Sequence, residues 1–172
     1  IDNTMAVAAV VRVLDQPVGP VLAHLTTFAK DVGRGQVIEL AVAKGFAKIV
    51  DHSYNANPAS MRAALDDMLA MPCDGKRVAI LGDMAELGED SDAAHAALIH
   101  LLREKPLDTV YLVGDAFKAG LASTDHDGRF NILDLEDLEN ILTEQLAPGD
   151  VVLVKGSNST GLFQNLSKFR MS

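Results

Sequence analysis

Four apolar residues in a row, Val151-Val152-Leu153-Val154, stand between Asp150 and Lys155. A strand with one solvated face alternates polar and apolar side chains, so an unbroken run implies burial on both faces, as in a parallel sheet covered by helices. Val78 to Leu81 is a second unbroken run. Val37 to Leu40, Phe46 to Val50, Val110 to Val113 and Asn131 to Leu133 complete six strand candidates. Between them lie apolar stripes at helical spacing: Met61, Leu65 and Met68; Leu98, Leu101 and Leu102; Leu138, Ile141, Leu142 and Leu146; and finally Leu162, Leu166 and Phe169. Strands alternating with such segments from Gln36 onward predict an α/β fold with a mainly parallel sheet.

The 172 residues are 48% hydrophobic and 23% charged, enough for one well-buried core with an appended piece. A formal net charge of −9 argues against a nucleic-acid partner, because binding a phosphate backbone needs a basic face. The single cysteine, Cys73, excludes an internal disulfide and a multi-cysteine metal site, and it suits a reducing compartment. No apolar run approaches the ~20 residues that span a bilayer, and no secretory signal opens the chain. The expected location is cytoplasmic, without membrane insertion.

Ile1-Asp2-Asn3-Thr4 runs straight into an apolar stretch with no initiating methionine, the pattern of a piece cut from a longer polypeptide. Residues 4–14 and 18–29 read as two helices, interrupted at Asp15-Gln16-Pro17 and closed by Gly33 and Gly35, with a boundary near Val32 to Gln36. They are apolar enough to need cover, either from the domain that follows or from a further one.

In a parallel sheet the carboxyl ends of the strands share one rim, and that rim is where ligands bind. Four polar clusters fall at those ends: Asp51 to Asn57, Gly82 to Gly88, Gly114-Asp115, and Lys155 to Ser159. Asn57 and Pro58 are accounted for by helix capping, but capping does not require Asp51, Ser53, Tyr54 and Asn55. Gly114-Asp115 reads first as an ordinary βα turn. Lys155 is the only cation in these clusters, placed either to meet a carboxylate or phosphate oxygen or simply to be solvated. Asp83 and Glu86 could orient an ammonium or a water, could bind a metal through water, or could simply favour a helix N-terminus.

Several constellations are absent. The chain has no Gly-x-x-x-x-Gly-Lys-Ser/Thr phosphate loop and no Gly-x-Gly-x-x-Gly turn between a strand and a helix. Its five histidines show no metal-ligand spacing, and no nucleophile elbow surrounds Ser53, Ser157 or Ser159. Neither a catalytic residue nor a metal site is expected within this chain.

Three motifs in order carry a resemblance: Asp51-x-Ser53-Tyr54-Asn55-Ala56-Asn57-Pro58 with Ser60-Met61, then Ile80-Leu81-Gly82-Asp83-Met84-x-Glu86-Leu87-Gly88, then Leu153-Val154-Lys155-Gly156-Ser157. Together they resemble the carboxy-terminal domain of the Mur ligases, most of all its MurF branch. Upstream, Asn3-x-x-x-Val7-Ala8-Ala9 and Gly33-Arg34 resemble the end of the family's central ATPase domain and the junction that follows it. The resemblance implies residues 1–34 as helices of that central domain and 35–172 as a Rossmann-like three-layer domain. It also implies an ATP-dependent amide ligase of peptidoglycan synthesis, with ATP and Mg2+ held mainly by domains outside this chain. The substrates would be UDP-MurNAc-tripeptide and D-Ala-D-Ala, and the mechanism an acyl phosphate attacked by the dipeptide amine. Carried over by position, Asn3, Arg34, Asp51, Tyr54 and Asn55 would serve ATP, and Asn57, Asp83, Lys155 and Ser157 the amino substrate. His52 and Asn158 depart from the family's usual Asp and Arg.

Two other classes fit parts of the pattern. A non-catalytic Rossmann-like binding module could use the same rim for a small anion. A flavodoxin-like signalling domain would use Asp51 as a phosphoacceptor. The chain without its phosphate loop is expected not to turn over ATP.

Overall fold

The computed structural model of the protein describes residues 2–25, 31–122 and 127–170, with the side chains of residues 2–4, 24 and 25 left aside. The chain divides into two compact units, Ile1–Lys30 and Asp31–Ser172. The first contains α1 (Asp2–Val13) and α2 (Val18–Leu25). Asp15 takes φ 53° in the turn between them, and Met5, Val10, Val13 and Leu14 are exposed. The end of the expected second helix, residues 26–29, lies outside the described residues.

The second unit is built on six strands: β1 (Gln36–Val42), β2 (Gly45–His52), β3 (Arg77–Gly82), β4 (Thr109–Val113), β5 (Phe130–Ile132) and β6 (Val151–Lys155). Their spatial order is β1-β2-β6-β3-β4-β5. All neighbours are parallel except β1 and β2, which form an antiparallel hairpin at one edge. The two-residue connection at 43–44 is too short for a crossover, so this pair alone reverses direction. β6 is buried at all five positions in the centre of the sheet.

Side-chain alternation divides each apolar strand between two cores. Ala79, Leu81, Val151 and Leu153 face α3 (Pro58–Leu69), α4 (Ser91–Glu104) and α5 (Asp115–Ala122), meeting Met61, Leu65, Met68, Ile99, Leu102 and Phe117. Val78, Ile80, Val152 and Val154 face the other way, onto Ile38, Ile49, Leu138, Leu142, Leu162 and Leu166. That second layer comprises α6 (Leu138–Asn140), which opens into a π turn over Ile141–Gln145, and α7 (Leu162–Asn165). Helices on both faces make the three-layer arrangement that the unbroken apolar runs require. In the α4 stripe Ile99 is fully buried while Leu101 is only partly so, a rotation of the helix by part of a turn from the sequence reading.

The segment 33–35 belongs with the second unit. Gly35 N–H donates 2.7 Å to the Asp51 carbonyl and Tyr54 N–H donates 3.2 Å to Gly33. These bonds tie it to the end of β2.

Candidate functional site

The register of the parallel strands brings the ends of β2, β6, β3 and β4 to one rim, with His52 opposite Lys155, Lys155 opposite Leu81, and Gly82 opposite Val113. Two recesses open there. The smaller, about 240 Å³, is lined by Gly33, Arg34, His52, Tyr54, Asn55, Asn57, Ser60 and Lys155.

Lys155 is 3% exposed. Its ammonium donates 2.7 Å to the main-chain carbonyl of Asn55, and burial pulls its pKa down to about 8. Arg34 is exposed and lays its guanidinium 4.6 Å above the Tyr54 ring. Two cations thus reach one recess, one fixed by burial and one by stacking. Asn57 caps α3: Ser60 N–H donates 2.8 Å to its side-chain oxygen, and the Ser60 hydroxyl accepts from Asn57 N–H in a reciprocal capping box.

Beneath this recess lies Asp51, fully buried. One carboxylate oxygen accepts from Ser53 N–H at 3.0 Å and from the Ser53 hydroxyl at 2.6 Å; the other accepts from Arg170 Nε at 2.8 Å. Arg170 also donates to the Ser53 hydroxyl and to the Phe163 carbonyl, and its guanidinium covers the Phe163 ring at 4.1 Å. Phe163 meets Tyr54 edge-on at 5.3 Å. Gly33 closes the stack: its φ is +75°, and a Cβ there would stand 2.7 Å from the Phe163 ring.

The larger recess, an open cleft of about 630 Å³, runs from Asp83 and Gly114 past Asp115 and Lys118 to Asp134, Glu136, Ser159 and Thr160. Asp83 forms its inner edge and caps α5 from another strand, accepting from Ala116 N–H and Phe117 N–H at 3.0 Å each. Gly114, at φ +117°, leaves room for that carboxylate; a Cβ would lie 2.3 Å from it. Ser157 is buried behind the cleft, where its hydroxyl accepts from Ala85 N–H at 2.8 Å and its own N–H donates to the Asp83 carbonyl. Buried His95 accepts from Met84 N–H at Nε2 (3.0 Å), so Nδ1 carries the proton and donates to the Ser91 carbonyl at 2.7 Å. Among the described residues no group of three or more His, Cys, Asp or Glu could hold a metal, and no helix is long and apolar enough to cross a membrane.

The family model described as Mur ligase, glutamate ligase domain, matches residues 33–158. The chain belongs to the Mur ligase family. This Mur ligase domain is 34% identical over 184 residues to the UDP-N-acetylmuramoyl-tripeptide–D-alanyl-D-alanine ligase of Mycobacterium tuberculosis, covering 94% of the chain and 36% of that relative. The Escherichia coli ligase of the same name is 34% identical over 165 residues, covering 94% and 35%. Among solved structures, MurF of Acinetobacter baumannii aligns over 99% of the chain and 37% of its own, with TM-score 0.78 and 27% identity. MurF of Thermotoga maritima, in complex with ADP, aligns over 95% and 36%, with TM-score 0.72 and 28% identity. The Mur ligase chain therefore spans about a third of the length of these relatives.

In the Mur ligase domain, Arg34, Tyr54, Asn55, Asn57 and Lys155 share the smaller recess, and Asp83 stands on the cleft. The four residues expected at the amino substrate are thus divided: Asn57 and Lys155 sit with Arg34, because β2 lies directly beside β6, whereas Asp83 follows β3. Asp51 is not on the recess surface; both its oxygens are spent on Ser53 and Arg170, which also leaves no free oxygen for a phosphoacceptor role. The side chain of Asn3 lies outside the described residues. Phe163 and Arg170 carry no motif in the sequence. The one hint is their place around the Leu162, Leu166, Phe169 stripe, which brings the end of the chain back against β2.

Proposed function

We propose that this Mur ligase domain is the closing portion of a cytoplasmic, ATP-dependent ligase that joins D-Ala-D-Ala to UDP-MurNAc-tripeptide in peptidoglycan synthesis. The observation that carries the reading is the convergence of Arg34 and Lys155 in one recess at the strand rim, where open α/β sheets receive ligands. Two cations in a small polar recess favour the closely spaced charges of a polyphosphate over a neutral ligand. The ADP-bound relative and the named D-alanyl-D-alanine ligases support the same assignment.

Arg34 and Lys155 would take phosphate oxygens, with Tyr54 and Asn55 walling the recess. Asp51 acts through the turn it holds. Magnesium and the phosphate loop would come from parts of the enzyme outside this chain, as would the catalytic groups. Domain closure would exclude water from around Lys155 and raise the worth of its charge to phosphate. The wider cleft, with Asp83 at its inner edge and Ser157 buried behind it, is assigned to the dipeptide. Asn57 then serves as the α3 cap at the edge of the nucleotide recess.

Phosphate release by the complete gene product with ATP, Mg2+ and UDP-MurNAc-tripeptide, measured with and without D-Ala-D-Ala, tests this. Release that depends on the dipeptide is expected. Release that needs a single amino acid instead moves the chain to a sister ligase, and no release favours a non-catalytic binding module. The 172-residue chain on its own is expected to show no ATP turnover.

A further inference from the structure

Arg170 stands twelve residues beyond the family match, which ends at 158, and no motif draws attention to it. Yet its guanidinium makes more directed contacts than any other cation at the rim: Asp51 at 2.8 Å, the Ser53 hydroxyl at 3.1 Å, the Phe163 carbonyl at 2.9 Å and the Phe163 ring face at 4.1 Å. Its side chain is 9% exposed and that of Asp51 0%. A buried pair of this kind gains little net stability, because desolvating two charges offsets their attraction, and a well-packed apolar pair of similar volume often serves the fold as well. What an apolar pair cannot supply is direction. The planar fork fixes the Asp51 carboxylate and the Ser53 hydroxyl at once. It thereby sets the turn whose next residues are Tyr54, the platform for Arg34, and Asn55, the acceptor for Lys155.

We infer that Arg170 is a positioning residue for the nucleotide recess, locking the Asp51–Asn55 turn so that Arg34 and Lys155 are held at the spacing a polyphosphate needs. The inference rests on the proposed ligase function for its kinetic consequence. The clamp reaches the recess from two directions. One is the carboxylate of Asp51 under the turn, and the other is the Phe163 ring, which meets the Tyr54 ring edge-on at 5.3 Å and packs against Gly33. The dipeptide cleft shares none of these contacts.

The test compares three variants of the complete ligase: Arg170→Lys, Arg170→Met and the double variant Asp51→Leu/Arg170→Met. Arg170→Met is expected to raise KM for ATP at least tenfold, with kcat and the KM for D-Ala-D-Ala each within about threefold of the parent. The double variant is expected to regain only part of the thermal midpoint lost in Arg170→Met, because the buried Ser53 N–H is left without its acceptor, while keeping the raised KM for ATP, and Arg170→Lys to fall between the parent and Arg170→Met. A double variant that recovers KM together with the midpoint overturns the inference, since the pair would then serve only to hold the fold. So does Arg170→Lys indistinguishable from the parent, or an equal rise in both KM values. If the parent releases no phosphate, the ligase reading fails separately, and calorimetric ADP binding decides the positioning role: equal Kd for parent and Arg170→Met overturns it, and at least tenfold weaker binding by the variant upholds it.

Discussion

The Lys155 ammonium donates 2.7 Å to the carbonyl of Asn55, a residue 100 positions earlier in the chain. This bond joins the end of the central strand to the turn after its neighbour, and it leaves a cation buried at the floor of an open recess. A lysine in that position has lost most of its hydration and gained one neutral acceptor, which is why it releases its proton more readily than a free one.

That shift has a signed consequence for stability. Below about pH 8 both folded and unfolded chains hold the proton, and the folded state bears the whole cost of burying it. Between about 8 and the ordinary lysine value of 10.5 only the unfolded chain holds it, so this residue's contribution to stability rises with pH. The slope is at most about 1.4 kcal/mol per pH unit. Urea midpoints at pH 7.5 and 9.5 are expected to diverge less in Lys155→Met than in the parent. An equal divergence would place the ammonium in water.

Arg34 reaches the recess from the opposite wall, steadied by the Tyr54 ring. Arg34→Ala in the complete ligase is expected to weaken ADP binding by about 10- to 100-fold, the range for removing a charge-assisted hydrogen bond. Tyr54→Leu, which removes the platform but not the charge, should weaken it by less. Calorimetry with ADP measures both, and a larger loss from Tyr54→Leu would mean that the ring contacts the nucleotide itself.

The Asp83 carboxylate occupies the space that Gly114 leaves vacant. Gly114→Ala is expected to destabilise the second unit by about 2 kcal/mol or more through the clash and the unfavourable φ. Asp83→Ala removes the α5 cap at a cost of about 1 kcal/mol. In the double variant the clash has lost its partner, so the combined loss should fall short of the sum. Strict additivity in denaturant midpoints would show that the backbone angle, and not the carboxylate, dominates.

His95 ties the Met84 amide to the first turn of α4. His95→Leu keeps the volume but leaves a buried N–H without an acceptor, a loss of about 1–3 kcal/mol. His95→Gln, which retains an acceptor, should lose less. Denaturant titration distinguishes them; equal losses would mean that packing against Phe117, 4.7 Å away, is what matters.

All six strands and the main buried stripes were legible in the residue pattern: β3 and β6, buried on both faces, are apolar along their length, whereas the edge strand β1 alternates buried and exposed side chains. The rim was legible as well, since parallel strands necessarily end together and glycine and polar residues gather there. Contacts made at long range left no such mark. The pairing of Lys155 with Asn55, the split of the expected amino-substrate residues between two recesses, and the burial of Asp51 all depend on β6 lying between β2 and β3. No spacing along the chain states that order. Arg170 is the extreme case, a cation that no sequence motif singles out and that the helical layer sets against a carboxylate 119 residues away. Periodic burial is a property of neighbours in sequence, whereas the direction of a charge is a property of neighbours in space. That is why the domain could be read from its residues, while the arrangement of its cations emerged only when the strands were placed side by side.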